Sequence, residues 1–201
     1  MDDIVKQAMA KWPNVPHCHG WLALDARGNW RMRDDRAQAE GLPGDKIVNA
    51  ALLGFINRNY ACDDQGRWYF QNGPQRVYVD LEALPYIART DPALGFILQT
   101  NQPLSTIDAA WMTETGRLLL QGDARIALVD DRDMAQCIAR MWMDGAAVSD
   151  DKLLAWLDDS QGSGGDLRFR NEQLELPLQR IREDEIPARF HFVRRPRADP
   201  A

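Results

Sequence analysis

The segment from Asn59 to Glu82 concentrates arginine, tyrosine and amide side chains at strand-like spacing. Alternate residues of an extended strand point to the same face, so this spacing predicts one polar and one apolar face. Arginine can form two parallel hydrogen bonds with a carboxylate or phosphate, and tyrosine adds a flat contact surface. We therefore predict that this face binds a small acidic ligand or a protein segment. The predicted ligand-binding residues are Arg67, Tyr69, Gln71, Asn72, Arg76, Tyr78 and Asp80. The alternative is a solvated sheet in which arginine and aspartate pair across strands.

His17, Cys18 and His19 are the residues that most resemble a metal-binding group, because imidazole and thiolate both bind zinc or copper. Three consecutive side chains do not converge on one ion in an ordinary backbone, and no ligand pair at metal-site spacing lies nearby. These residues are therefore weak candidates, and we predict a loop that precedes a strand, without a metal. No cofactor is predicted.

Sequence motifs favour a protein that is not an enzyme. The chain lacks the nucleophile elbow, the phosphate-binding glycine loop, the zinc-protease helix and the dinucleotide-binding glycine pattern. The adjacent carboxylates of Asp63 and Asp64 are typical of a hairpin turn, and no catalytic residue is predicted. The alternative is a hydrolase in which these carboxylates and Asp80 act as acid and base, with Arg76 as the electrophilic group.

Composition narrows the class of protein further. The 201 residues carry 24 Lys and Arg against 30 Asp and Glu, a formal net charge of −6. This balance argues against nucleic-acid binding, which requires a dominant basic face. The apolar run from Ala50 to Ile56 is far shorter than the roughly 20 residues that cross a bilayer, so no membrane association is predicted. Acidic residues after the first methionine argue against an export signal, and dispersed cysteines fit a reducing compartment. We expect a cytoplasmic protein.

Apolar periodicity and turn residues outline the elements that position the polar segment. A helix is predicted at 2–12 and a hairpin at 21–32. A helix capped by Asp45 is predicted over 45–58, and a three-stranded meander follows it. Further along we predict strands at 94–98, 110–112, 117–121 and 125–129, a helix at 131–143, a helix that begins at Ser149, a hairpin of 167–169 with 174–178, and a strand at 189–193.

Two segments of the chain repeat one another. The residues from Gly66, GRWYFQNGPQRVYVDLE, align with those from Gly116, GRLLLQGDARIALVDD, so that Arg76 matches Arg125. Two copies are too few for a solenoid. The sequence therefore predicts an α+β fold of two repeated units, each an antiparallel β-meander with a packing helix, plus an extra C-terminal helix and hairpin. The expected divisions are helix 2–12, a first unit at 15–92, a second unit at 93–145, an extension at 146–194 and a disordered tail at 195–201.

The run FQNGPQRVYV, from Phe70 to Val79, together with HGWLALDARGNW and GRLLLQGDARIAL, resembles proteobacterial conserved proteins of unknown function. The order of elements, including the pair Thr100 and Asn101, is more distantly similar to the DUF1285 family over about residues 15 to 143. This resemblance implies repeated α+β motifs and a link to bacterial signalling. It carries over no catalytic residue, and the tail after Ser149 lies outside it.

Together these observations predict a non-catalytic protein that binds a ligand or partner and has a signalling or regulatory role. A structural homo-oligomer is a second alternative beside the hydrolase. In that alternative, exposed aromatic residues and the segment from Leu167 bury against a second copy of the chain.

Overall fold

The computed structural model describes residues 1–159, 165–171 and 175–198. Helices and sheets alternate along this part of the chain, and most neighbouring strands are antiparallel, so the predicted α+β class is confirmed. Within the same ranges, no helix is long and apolar enough to cross a membrane.

The chain divides into two compact units. The first consists of Met1–Pro85, Gln99–Asn101 and the residues from Phe190 onward, and the second consists of Tyr86–Leu98 and Gln102–Arg189. These divisions differ from the expected ones because the strand at 86–91 joins the sheet of the second unit, and so do the strands of the expected C-terminal extension.

The first unit contains two β-hairpin regions and three helices. In chain order its elements are α1 (Asp3–Lys11), β1 (Cys18–Leu24), β2 (Trp30–Met32), α2 (Asp35–Ala39), β3 (Asp45–Lys46), α3 (Ala50–Arg58), β4 (Tyr60–Cys62), β5 (Trp68–Asn72) and β6 (Gln75–Leu81).

A six-stranded sheet in the order β3-β2-β1-β6-β5-β4 organises this unit. The predicted first hairpin is confirmed: β1 and β2 are antiparallel, with Leu24 opposite Trp30. The Asp25 carboxylate fixes the turn by accepting the backbone N–H groups of Arg27 at 3.0 Å and Asn29 at 2.8 Å. The predicted meander of β4, β5 and β6 is also confirmed, and β6 then pairs with β1 in parallel.

The helix predicted over 45–58 begins later than expected. Asp45 does not cap it, because Asp45 pairs with Met32 in the edge strand β3. The cap is Asn49, whose side chain accepts the N–H of Leu52 at 2.9 Å. Both residue types are good N-caps, so strand pairing decided between them.

α3 packs on the apolar face of the sheet. Ile56 is fully buried, and the ring of Phe55 meets that of Phe70 edge-on at 5.3 Å. The predicted N-terminal helix is present as α1, which buries Val5. These contacts leave the other face of β5 and β6 for polar side chains.

The second unit is built around a longer sheet. Its elements are β7 (Tyr86–Asp91), β8 (Gly95–Leu98), β9 (Ala109–Thr113), β10 (Leu118–Gly122), β11 (Arg125–Val129), α4 (Met134–Ile138), β12 (Met141–Met143), β13 (Ala146–Ala147), α5 (Asp150–Asp158), β14 (Arg168–Arg170), β15 (Glu175–Ile181) and α6 (Ile186–Arg189).

Nine strands of the described part of this unit follow the order β13-β12-β14-β15-β9-β10-β11-β7-β8. β10 is central, and its residues Leu118, Leu119 and Leu120 are all buried because both faces of the sheet are covered there. A strand with two covered faces is expected to be continuously apolar. The predicted C-terminal hairpin is confirmed as β14 and β15, and β15 runs parallel to β9.

Two predicted elements of the second half are wrong. The helix expected over 131–143 ends at Ile138, and Met141 to Met143 form a strand that pairs with β14. The apolar residues of 141–143 fit the helical period of 3.6 residues as well as the strand period of two. Pairing with β14 determined that this segment is a strand. The strand expected at 189–193 is absent from this described segment: α6 ends at Arg189, and His191 has a φ of 53°, which interrupts an extended chain.

Residues 195–198 belong to the first unit and are not a disordered tail. The backbone carbonyl of Arg194 accepts the N–H of Leu81 at 2.7 Å, and Arg197 pairs with Asp80 at 3.2 Å. The remainder of the expected tail, 199–201, lies outside the described residues.

A close backbone approach beside Gly122 yields a stability prediction. A Cβ atom at this position would lie 1.7 Å from the carbonyl oxygen of Thr106. We expect Gly122→Ala to lower the free energy of unfolding by about 3 kcal/mol, because backbone atoms must move to admit the methyl group. Urea unfolding measures this difference.

The matched control is Gly54→Ala in α3, where the nearest atom is the flexible end of Arg58 at 3.2 Å. There the helix propensity of alanine is expected to raise stability by up to about 1 kcal/mol. Equal effects of the two substitutions would contradict the packing argument.

Candidate functional site

Strand alternation places most of the predicted residues on one face of β5 and β6. Tyr69 lies opposite Tyr78, and Gln71 lies opposite Arg76. Phe70, between them in sequence, points to the other face and contacts α3. The predicted division into polar and apolar faces therefore holds for these two strands.

The Asp63 carboxylate is the centre of hydrogen bonding on the polar face. It accepts the Nε–H of Arg67 at 2.8 Å and the hydroxyl of Tyr78 at 3.1 Å. It also accepts backbone N–H groups of Gln65 and Arg67, at 3.0 and 2.9 Å. Its side chain is only 4% exposed. Arg67 is therefore held within the protein instead of being presented to a ligand.

These bonds determine the ionisation of Asp63. Burial opposes the charged form, but the hydrogen bonds from Arg67, Tyr78 and Gln65 outweigh it and keep the pKa below the usual 3.8. Asp63 is thus a structural carboxylate, and its neighbour Asp64 is exposed at the turn. Neither the geometry nor the pKa of Asp63 suits a general acid.

Aromatic rings cover the middle of the face. His19 stacks on Tyr78 with ring centroids 4.6 Å apart and planes 14° apart, and Tyr69 meets Tyr78 edge-on at 5.9 Å. A register shift between Cys18 and Leu22 brings His19 over this ring, in a bulge that contains Gly20. Bulges commonly redirect a side chain in this way.

Arg76 is the accessible guanidinium of the face. It lies 4.5 Å above the ring of Tyr69 and donates a hydrogen bond to Tyr78. Among the described residues, no aspartate or glutamate forms a salt bridge with Arg76, and its side chain is half-buried. Arg76 therefore has no ion-pair partner in this part of the chain, and Asp63 acts on its charge only at longer range.

His17 responds to this charge. Its ring lies edge-on to Tyr78 at 5.8 Å. Partial desolvation, followed by the positive charges of Arg76 and Arg67, lowers the pKa of His17 below 6.5. We refer to His17, His19, Tyr69, Arg76 and Tyr78 together as the Arg76 cluster.

The remaining predicted residues lie outside this cluster. Gln71 is buried, and its Nε2 donates to the carbonyl of Gly73 at 2.9 Å, while Asn72 is exposed at the end of β5. Asp80 binds Arg33 at 2.7 Å and Arg197 at 3.2 Å. It lines a separate pocket of about 260 Å³.

Both arginines that bind Asp80 are absent from the predicted site residues. Arg33 and Arg197 are 47 and 117 residues from Asp80 in the chain, and no local pattern connects them. The basic character of the last residues was the one available signal. Asp63 does not line the pocket that contains Asp80, so the carboxylates of the hydrolase alternative are not brought together in it.

The weak metal candidates His17, Cys18 and His19 lie at the start of the first sheet. The loop predicted for these three residues is wrong for Cys18 and His19, which lie in β1, and only His17 precedes the strand. In the described ranges, no group of three His, Cys, Asp or Glu side chains is arranged to hold a metal ion.

The buried carboxylate of Asp63 leads to a pH prediction. We expect Asp63→Asn to reduce the free energy of unfolding at pH 7 by about 2–4 kcal/mol, because charge-assisted hydrogen bonds to Arg67 and Tyr78 are lost. The folded-state pKa is lowered, so the stabilisation is present above the unfolded value of 3.8 and is lost as the pH falls through the folded value.

The difference in free energy of unfolding between the wild type and Asp63→Asn should therefore decrease as the pH is lowered. Urea unfolding between pH 7 and pH 3 measures this difference. Asp64→Asn, in the same turn but exposed, is the control and should change stability by less than about 0.5 kcal/mol. A difference for Asp63→Asn that does not depend on pH would contradict the assignment.

The family model DUF2944, described as "Protein of unknown function (DUF2946)", matches residues 1–197. A search of curated proteins gives no match.

Two solved structures are similar to this chain. A DUF1285 family protein from Silicibacter pomeroyi DSS-3 aligns with a TM-score of 0.50 and 11% identity, over 92% of this chain and 98% of that chain. A DUF1285 family protein from Shewanella baltica OS155 aligns with a TM-score of 0.40 and 12% identity, over 58% of this chain and 88% of that chain. The first likeness confirms the expected distant similarity in fold. Because the family model spans almost the whole sequence, the chain belongs to the DUF2944 family of proteins of unknown function.

Proposed function

We propose that this is a non-catalytic binding protein whose Arg76 cluster receives a small acidic ligand. The observation that carries the proposal is the charge of Arg76: a half-buried guanidinium without a carboxylate partner in the described part of the chain. Charged groups in partly buried positions are usually paired, so an uncompensated arginine favours an anionic partner.

The arrangement of Arg76 suits recognition of a carboxylate or phosphate. The ring of Tyr69 and the hydroxyl of Tyr78 restrain the guanidinium, so little side-chain entropy is lost when a ligand binds. Donors of Arg76 that do not bind Tyr78 are available for a forked contact with two oxygens. His17 adds a second donor on the same side, next to Tyr78.

A regulatory or signalling role belongs to the same proposal, because ligand binding without catalytic groups is typical of such roles. The cytoplasm is the proposed location, with support from three free cysteines, of which Cys137 is buried. Burial raises the pKa of this thiol to about 12 and keeps it protonated.

The proposal also includes the internal duplication. Five strands of each sheet follow an equivalent order. The hairpin β1-β2 and the meander β4-β5-β6 of the first unit correspond to the hairpin β7-β8 and the meander β9-β10-β11 of the second. In both, the meander ends in a strand parallel to the first strand of the preceding hairpin. Arg125, the counterpart of Arg76 in the aligned sequences, lies 5.7 Å above the ring of Tyr86.

This correspondence supplies a matched pair of variants for anion binding. We expect Arg76→Gln to weaken binding of phosphate or succinate by at least about tenfold, since a charge-assisted hydrogen bond contributes about 1.5–3 kcal/mol. Arg125→Gln should leave affinity unchanged. Isothermal titration of the full chain measures both. Equal losses for the two variants, or no anion binding by the wild type, would refute the proposal.

His17 provides a second readout. Its pKa is lowered in the free protein by partial desolvation, Arg76 and Arg67, so a bound anion should raise it towards or above 6.5. NMR titration of the imidazole with and without phosphate measures this shift. His191 is the internal control, because it is exposed and is not part of the cluster. An identical response of both histidines would indicate a general salt effect.

A further inference from the structure

The second unit contains a pocket of about 310 Å³ that the proposed anion site does not use. It lies among β9, β15, α5 and the turn before α6. Met112 and Ile181 come from the two neighbouring strands, and Trp156 and Leu157 come from the helix that covers them. The volume and the apolar floor are those of a site for a small organic molecule.

The rim of this pocket is acidic. Four carboxylates face two guanidinium groups, which gives the lining a formal charge of −2. Both guanidiniums already have a carboxylate partner: Arg180 lies 3.8 Å from Asp159, and Arg182 lies 3.1 Å from Asp184. The rim therefore retains negative charge after its own arginines are paired.

The other three carboxylates are those of Glu114, Asp158 and Glu185. None of them forms a salt bridge with a lysine or arginine of the described residues. Glu114 accepts the backbone N–H of Glu183 at 3.0 Å, and Glu185 accepts that of Arg182 at 3.4 Å, so backbone contacts restrain both side chains. Asp158 is exposed in the last turn of α5.

The wall of the pocket already contains a contact between a cation and an aromatic ring, made by Arg180 and Trp156. The guanidinium of Arg180 lies 4.2 Å from the centroid of the indole ring, with the Asp159 carboxylate beside it. Aromatic faces attract cations through the quadrupole of the ring, and tryptophan does so most strongly. An indole with a neighbouring carboxylate is thus already part of the wall.

We propose that this pocket binds a small organic cation, a protonated amine attached to an apolar or aromatic body. The apolar body contacts Met112, Leu157 and Ile181. The ammonium group donates hydrogen bonds to rim carboxylates, with Asp158 and Glu185 as its partners. An anion of the same size is excluded by the charge of the rim, so the two units bind ligands of opposite charge.

The test uses three probes of similar shape on the isotope-labelled full chain at low ionic strength: 2-phenylethylamine, 2-phenylethanol and 3-phenylpropionate. Backbone amide shifts in NMR spectra report the location and the affinity. We expect the amine to shift the amides of 112–114, 156–159 and 180–185 and to bind at least about tenfold more tightly than the neutral alcohol. The carboxylate should bind more weakly than the alcohol.

Substitution of Asp158 tests whether its carboxylate binds the amine. Asp158→Asn should weaken binding of the amine about fivefold and leave binding of the alcohol unchanged. Asp151→Asn, in the first turn of the same helix and outside the pocket, is the matched control and should bind like wild type. The dispersion of the amide spectrum verifies that both variants are folded.

Each contrary outcome overturns the proposal: equal affinity for amine and alcohol, tighter binding of the carboxylate, shifts located elsewhere, or equal effects of the two asparagine variants. Arg76→Gln should not change binding of the amine. A failure of this proposal can therefore be distinguished from a failure of the proposed anion site.

Discussion

The hydrogen bonds of the Asp63 carboxylate are the interaction on which the candidate site depends. One nearly buried side chain fixes the turn before β5, neutralises Arg67 and orients the hydroxyl of Tyr78. Tyr78 in turn supports His19 by stacking and accepts a bond from Arg76. Asp63 forms an ion pair with Arg67, and Asp80 forms ion pairs with Arg33 and Arg197. Arg76 is therefore the arginine of this face that has no salt bridge among the described residues. A buried carboxylate is costly to desolvate, and here four donors offset that cost.

The sequence was most informative where one local rule determined the structure. Alternation predicted the polar face of β5 and β6, and turn residues predicted the hairpins. Prediction from the sequence was wrong where two local rules gave different answers. Asp45 and Asn49 are both suitable caps, and Met141 fits a helical as well as a strand pattern. It also could not identify contacts between distant residues. Arg67 and Arg76 look alike in sequence, but only the folded chain shows that Asp63 has paired with one of them.

Charge is distributed unevenly in this acidic chain. The polar face of β5 and β6 carries two arginines and two aspartates, whereas the pocket in the second unit is lined by four carboxylates and two guanidinium groups. Net charge describes long-range attraction and says little about a particular surface. An acidic composition argues against binding of nucleic acid, which needs a broad basic face. It is compatible with the proposed binding of a small anion, because a single guanidinium is enough for that contact.

The return of the last residues to the first unit affects how this chain acquires its structure. The carbonyl of Arg194 pairs with the amide of Leu81, and the ion pair between Asp80 and Arg197 spans 117 positions. Contacts this distant require closure of a very long loop, which slows folding. On the ribosome, most of the first unit emerges early but lacks the backbone partner of Leu81 until Arg194 leaves the exit tunnel. The unit that begins first in synthesis is therefore completed last. Until residues 194–197 are made, one carboxylate oxygen of Asp80 and the backbone N–H of Leu81 lack these partners and are open to other molecules.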